Sequence, residues 1–408
     1  MTMTEDNKVE GTVDGTDIPI IAWNPNGGPA RYAGDSVVRY NSLRDLHPMA
    51  IRSTEGPKGF WVVNDGAMMR EIYQRPDIFS NAGGAWFDPE PAAYKWIPEH
   101  LDPPLHTKWR QLLSPYFSPQ RVNSMEEPLR KRARDLVETL KDRGSCDYVA
   151  DFSAVFPTTV FLDLFGVPTS ELRQFMTWED QILHSPLTEE GYAISMKAMA
   201  DVTDMFRILI GEKRKSPGDD ILSHALDWEI EGRKVTDDEL LSFSLLMYMA
   251  GLDTMTAELA YSTYHLAKNP QDRQRILDDP TLWPGAIEEF LRFYPIVTPG
   301  RLVMQDVEIN GCPFKKGDAV SLPIPNCNRD PKEFEDADSV IIDRKVNNHI
   351  GFGAGPHRCL GSHLARREMK LGLEEWHKVI PHYRIPEGAE VPEHVGMQIG
   401  IRSLPLEW

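Results

Sequence analysis

One cysteine in this chain stands in surroundings that could make it a ligand. Cys359 lies in Phe352-Gly353-Ala354-Gly355-Pro356-His357-Arg358-Cys359-Leu360-Gly361. The glycines and the proline predict a tight, rigid loop. A helix is predicted to follow over about 360–380, with Met369, Leu373, Trp376 and Ile380 along one side. A thiol at a helix start is favoured as the thiolate by unpaired backbone N–H groups and the helix dipole, and Arg358 adds positive charge. Gly361 leaves room for something flat and bulky against the turn. Zinc would require four ligands, and Cys146, Cys312 and Cys327 are all distant in sequence, with no C-x-x-C spacing. A nucleophilic cysteine requires a histidine base, and His357, two residues away, is awkwardly placed for that. Haem iron requires only one protein thiolate. An arbitrary cysteine is most often a buried structural thiol, and the other three keep that reading.

Other residue sets could carry chemistry. Asp253 and Thr254 follow an apolar stretch, where an acid–hydroxyl pair is expensive unless hydrated or used. Gly251 beside them could open a groove in a helix. Glu289 and Arg292, three apart, form a helix ion pair by spacing alone. His106 and Arg110, four apart, share a helix face and can point two donors at one anion.

The elements that position these residues are mostly helical. Periodicity predicts helices over Met125–Lys141, Ala198–Lys213 and Pro284–Tyr294, and one long helix over Thr236–Asn269 that runs through the interior. Its most apolar part, Leu240–Leu252, is about a dozen residues, against the roughly 20 that span a bilayer. Strand signals are few: Phe60–Val63, Leu302–Ile309, Ala319–Leu322 and Met397–Leu404, with Asn310-Gly311 as a hairpin turn. No strand–helix alternation points to a parallel sheet, so a dinucleotide-binding fold is not expected. Residues 1–35, rich in Gly, Pro and Asp, are expected as an extended segment on the surface.

Composition narrows the function. The charge sum over 408 residues is 44 − 62 = −18, which argues against a general nucleic-acid binder. Four cysteines in so long a chain exclude a disulfide scaffold and suit a reducing compartment. With no targeting segment and no membrane anchor evident, a cytoplasmic location is expected.

The cysteine loop closely resembles that of the cytochrome P450 family, the haem-thiolate monooxygenases, whose pattern is met by Phe352, Gly355, His357, Cys359 and Gly361. Three further segments resemble family motifs in the family's order. Ala250-Gly251-Leu252-Asp253-Thr254 is similar to the oxygen-binding helix motif, Glu289-Phe290-Leu291-Arg292 to the Glu-x-x-Arg motif, and Asp102 to Arg110 to the helix that reaches a haem propionate. The resemblance spans about residue 30 to Trp408 and is nearest to soluble bacterial members of the camphor-hydroxylating type. Pro299 departs from that type, which carries an acidic residue there, so one propionate contact is expected to differ.

The resemblance implies a mainly α fold, a helical bundle around a buried haem with small β-sheets, as a single haem domain over 36–408. It implies haem b with Cys359 as the axial thiolate on iron, and propionate contacts from His106, Arg110, Arg301 and His357. Asp253 and Thr254 would supply protons on the distal side, and Glu289, Arg292 and Arg344 would be a structural ion cluster behind the haem loop. By alignment of motifs, substrate would meet Tyr94, Trp96, Leu246, Met249, Ala250, Ile296, Val297, Met397 and Gln398. Most of these are apolar, so the expected substrate is a hydrophobic molecule of terpenoid or branched-lipid type, which would receive one oxygen atom from dioxygen. Electrons would come from a ferredoxin with an NAD(P)H-dependent reductase, steered by Lys108, Arg110, Arg358, Arg366 and Arg367. A monomer is expected. The alternatives are a non-catalytic haem-thiolate sensor, or an enzyme without a redox partner such as a peroxygenase or isomerase. Asp253 and Thr254 argue against both.

Overall fold

A computed structural model of the chain describes residues 8–24, 32–56, 58–82, 95–185, 188–396 and 398–408. They divide into two compact units that interleave along the sequence. The first takes residues within 1–92, 257–362 and 382–408, and the second those within 93–256 and 363–381.

The first unit is built on a seven-stranded mixed sheet. Its spatial order is Val9–Thr12, Pro19–Ile21, Ala50–Ser53, Phe60–Val63, Ala319–Ser321, Gly300–Val303 and Phe79–Ser80. Phe60–Val63 is apolar at every position and buried at every position, as befits an interior strand covered on both faces. The first two strands of this sheet lie in the N-terminal segment expected on the surface. Ile18, Ile21 and Trp23 are buried, so the apolar residues of that segment outweigh its Gly/Pro/Asp composition. The expected strand over 302–309 is also two, because the chain turns after Val303 and restarts at Val307. The second of these pairs with Cys312–Phe314 through Asn310 (φ 48°) and Gly311 (φ 81°), which bears out the hairpin signal. The expected strand over 397–404 is reduced to Gly400–Ile401, with Pro405–Glu407 beyond it.

The second unit is helical. Leu105–Leu113, Glu126–Glu138, Val155–Phe165, Leu172–Leu183, Glu189–Lys215 and Asp237–Gly251 supply most of it. The Glu189–Lys215 helix starts earlier than its apolar periodicity suggests, because the Thr188 side chain caps it by accepting from the Gly191 N–H. Phe165, Phe175, Phe206, Phe243 and Tyr248 form an aromatic cluster, and the Tyr248 hydroxyl donates to the Phe175 carbonyl at 2.7 Å.

The long helix expected over 236–269 is two helices, Asp237–Gly251 and Asp253–Lys268. The first opens on a capping box between Thr236 and Glu239 and ends at Leu252 (φ −95°, ψ −68°). Taken together the 32 residues are long and apolar enough to cross a membrane, but 78% of the apolar window is buried inside the protein. That is the profile of a core helix, and it extends the apolar stretch well beyond the dozen residues read from sequence.

The Ser362–Val379 helix carries a buried acid, Glu368, 4% exposed. Its Oε2 has no hydrogen-bond partner among the described residues. Burial pushes its carboxyl up to about 8, so it is largely protonated at neutral pH in the fold and ionised when unfolded. The resulting cost to stability grows as pH rises from about 4.5 to about 8, at about 1.4 kcal/mol per pH unit within that window. Glu368→Gln is therefore expected to be as stable as wild type near pH 4 and more stable by at least about 1 kcal/mol above pH 7 in urea titrations. An equal effect at both pH values would contradict the buried neutral acid.

Candidate functional site

The cysteine loop is held from behind by a buried ion cluster. Glu289 and Arg292, on the Trp283–Phe293 helix, are both fully buried. Arg292 forks onto Glu289, with Nε to Oε2 at 2.8 Å and Nη2 to Oε1 at 2.7 Å. Its remaining donors reach the carbonyls of Asn328 (2.9 Å), Ala337 (2.8 Å) and Ser339 (2.7 Å). Arg344 Nε reaches the same carboxylate at 2.9 Å, and the Ile341 N–H and Asn347 Nδ2 complete it at 2.8 and 3.1 Å.

From this cluster the loop hangs by short links. The Asn328 side chain accepts the Ile350 N–H at 2.8 Å, and the Cys359 N–H donates to the Phe352 carbonyl at 2.8 Å. Gly355 (φ +68°) passes so close to the Tyr73 carbonyl that a Cβ there would lie 2.0 Å from the oxygen. Gly361 is different. Among the described residues a Cβ there would meet Cys359 Sγ at 3.9 Å, an ordinary contact, so none of them sterically requires glycine at that position.

Cys359 itself is exposed and lies three residues before the helix start at Ser362, whereas the sequence predicts the helix to begin directly after it, at about Leu360. The Arg358 side chain donates to Ser362 Oγ at 3.2 Å. The other cysteines are held as thiols: burial pushes Cys312 up to about 11 and Cys146 up to about 12.

The residues expected to bind an anion divide between the two units. In the first, Arg301 is buried, donates to the Gly300 carbonyl at 2.6 Å and lies 5.1 Å over the Tyr73 ring. His357 Nδ1 meets the Asn81 side-chain nitrogen at 2.9 Å. In the second, His106 and the half-buried Arg110 stand one turn apart on the Leu105–Leu113 helix. Burial pushes His106 down to about 4, aided by the Arg110 charge, so it is neutral at pH 7. Tyr73 and Asn81 carried no sequence signal, because their partners are far along the chain.

Asp253 is buried and Thr254 half-buried at the helix break. The Thr254 hydroxyl donates to the Ala250 carbonyl at 2.9 Å, and Thr256 does the same to Leu252 at 3.1 Å. Hydroxyls that claim carbonyls one turn back can bend helices, and two of them flank the interruption. Gly251 does not account for it sterically, since a Cβ there would meet only Phe161 at 4.0 Å.

The expected substrate residues divide by unit. Ile296, Val297 and Gln398 come together in the first, where Val297 and Gln398 form an isolated bridge. Leu246 and Met249 are buried in the second, Ala250 is exposed, and Trp96 stacks on His100 at 5.5 Å. Tyr94 and Met397 lie outside the described residues. The basic residues expected to steer a ferredoxin are partly neutralised: Lys108 pairs with Glu231 at 2.7 Å, and Arg367 with Glu126 and Asn123.

Comparison with known proteins matches this chain to the family model described as cytochrome P450 over residues 33–281 and 277–376. A probable cytochrome P450 127A1 of Sinorhizobium fredii is 34% identical over 391 residues, covering 96% of this chain and 92% of the relative. A steroid C26-monooxygenase of Mycobacterium tuberculosis is 33% identical over 82% of this chain and 90% of its own length. Among solved structures, cytochrome P450 CYP101C1 superposes with a TM-score of 0.86 at 29% identity, covering 95% of this chain and 97% of that one. CYP109E1 from Bacillus megaterium, in complex with testosterone, gives 0.83 at 29% identity over 91% and 97%.

The ion cluster yields a test. Removing Arg292 leaves Arg344 as the cation on Glu289 but strands three carbonyls and half of the carboxylate's fork, so Arg292→Leu is expected to cost about 3 kcal/mol or more in denaturant unfolding. Arg292→Lys should recover little of it, because an ammonium cannot fork onto Glu289 and reach three carbonyls at once. Full recovery with lysine would show that charge alone, without the fork, holds this region.

Proposed function

The chain belongs to the cytochrome P450 family of haem-thiolate monooxygenases, and from that premise we propose that it inserts one atom of dioxygen into a hydrophobic small molecule of terpenoid or branched-lipid type. The observation that carries this reading is the exposed Cys359 in a rigid loop whose Gly361 is not sterically required to be glycine by any of the described residues. A flat macrocycle lying against the loop supplies a reason for glycine, so the residues present fit haem b.

Cys359 would hold the iron, and the anion-binding side chains of His106, Arg110, Arg301 and His357 would hold the propionates. The bound haem supplies dioxygen activation, with the thiolate's electron density favouring O–O cleavage. Asp253 and Thr254 would move and hold protons near the helix break. The apolar side chains of Leu246, Met249, Ile296 and Val297 would exclude water and favour an apolar substrate. Relatives named for a steroid oxidation and solved with testosterone support that class. Electrons would come from a ferredoxin and its NAD(P)H-dependent reductase. Residues 36–408 would act as one haem domain, and as a monomer in the cytoplasm.

With isotopically labelled dioxygen, a hydrophobic substrate should acquire one labelled atom; label confined to water and peroxide would contradict a monooxygenase. Cys359→Ser should lose the thiolate spectral signature and nearly all product, because a serine oxygen is a harder, weaker electron donor. Hydroxylation at the wild-type rate would overturn the ligand assignment.

Thr254→Ala should keep its fold and bind haem and substrate, but divert reduced oxygen to hydrogen peroxide. Asp253→Asn should instead slow turnover by interrupting proton supply. NAD(P)H consumed, peroxide formed and product formed, measured for both, separate the two roles. Unchanged coupling in Thr254→Ala would make that hydroxyl purely a helix-bending group.

A further inference from the structure

The helix Leu172–Leu183 carries Glu179 and Asp180 near its end and is followed by His184 as its C-cap, beside the buried Asp253. His184 is fixed twice to that helix: its N–H donates to the Asp180 carbonyl at 2.9 Å, and its Nδ1 meets Asp180 Oδ1 at 3.2 Å. The other ring nitrogen, Nε2, lies 3.5 Å from Asp253 Oδ1. Side-chain exposure falls along this line, from 63% at Asp180 to 12% at His184 and 5% at Asp253. An exposed acid, a half-covered imidazole and a buried acid therefore stand in order from solvent inward.

We propose that His184 is the positioning residue for Asp253, holding its carboxylate and linking it through Asp180 to bulk water as the entry of the proton route. This rests on the reading above, that Asp253 supplies protons. The 3.5 Å contact is longer than a hydrogen bond, as is common for such pairs before substrate and oxygen are in place. One proton enters at Nδ1 as one leaves at Nε2, so the ring keeps its charge and only its tautomer alternates. Ring rotation or exchange with water resets it.

Glu179 lies alongside, 7% exposed, with Oε1 lacking a partner among the described residues. Burial, with the Asp253 and Asp180 charges, pushes its carboxyl well above the usual carboxylate range. Its neutral form is therefore favoured beside the His184–Asp253 contact.

The test uses the holoenzyme, in EDTA so that no divalent cation holds the pair. In the diamagnetic ferrous carbon monoxide complex with nitrogen-15-labelled histidine, Asp253→Asn should shift the Nε2 resonance of His184, and Asp180→Asn its Nδ1 resonance. An unmoved Nε2 resonance overturns the contact whatever the enzyme does. In ferredoxin-driven oxygen consumption with testosterone as the probe, His184→Leu should lower kcat roughly tenfold or more, leave KM unchanged and enlarge the solvent isotope effect. A residue that only supports the fold would lower the melting temperature and leave the isotope effect alone, which overturns the proposal. If Asp253→Asn slows consumption and His184→Leu does not, His184 loses its role and Asp253 keeps its own. If neither slows it, the proton reading of Asp253 falls as well.

Discussion

Three charges buried together set the geometry on which the cysteine loop depends. Moving a carboxylate and two guanidinium groups out of water is costly, and the Coulomb attraction offsets that cost only when every lone pair and N–H is matched. Glu289 meets this condition, with Arg292, Arg344, Asn347 and the Ile341 N–H all on its two oxygens. Arg292 then uses its remaining donors on carbonyls at 328, 337 and 339, so two separate chain segments take their positions from one side chain. Asn328 passes that position on to Ile350, and from there the chain runs to Cys359. A side chain held this way would need little reorganisation to meet a ligand, which is the physical content of a preorganised site.

Other buried acids obey the opposite rule. Glu258 and Glu368 each keep one oxygen without a partner among the described residues, and burial raises both carboxyls. Without cationic partners they are kept neutral by desolvation alone. The contrast with Glu289 shows how one residue type serves as an anchor when fully paired and as an uncharged core residue when not. The same logic separates Cys359 from the three cysteines that lack its surroundings.

Much of this was legible in sequence because it is local. The Gly/Pro loop around Cys359, the Asn310-Gly311 hairpin and the i, i+3 Glu289–Arg292 pair are written in neighbouring residues. Arg344 as third member came by resemblance, and the structure places it on the same carboxylate. What sequence missed is non-local or conformational. The break at Leu252 leaves the apolar pattern unchanged, since it is a change of backbone angles at one apolar residue. His184 and Glu179 lie some 70 residues from Asp253, and Asn81 far from His357, so no spacing could have joined them. The five basic residues expected to steer a partner are adjacent to one another only by segment, and their distant acidic partners, Glu231 for Lys108 and Glu126 for Arg367, leave no mark on that spacing.

The most direct measurement is the difference spectrum of the reduced, haem-loaded chain on binding carbon monoxide. An iron held by the Cys359 thiolate gives the long-wavelength Soret maximum from which the family takes its name. That maximum is predicted for the wild-type chain and should be lost in Cys359→Ser. A wild-type maximum at the shorter wavelength of a neutral-ligand haem would contradict the account at its centre.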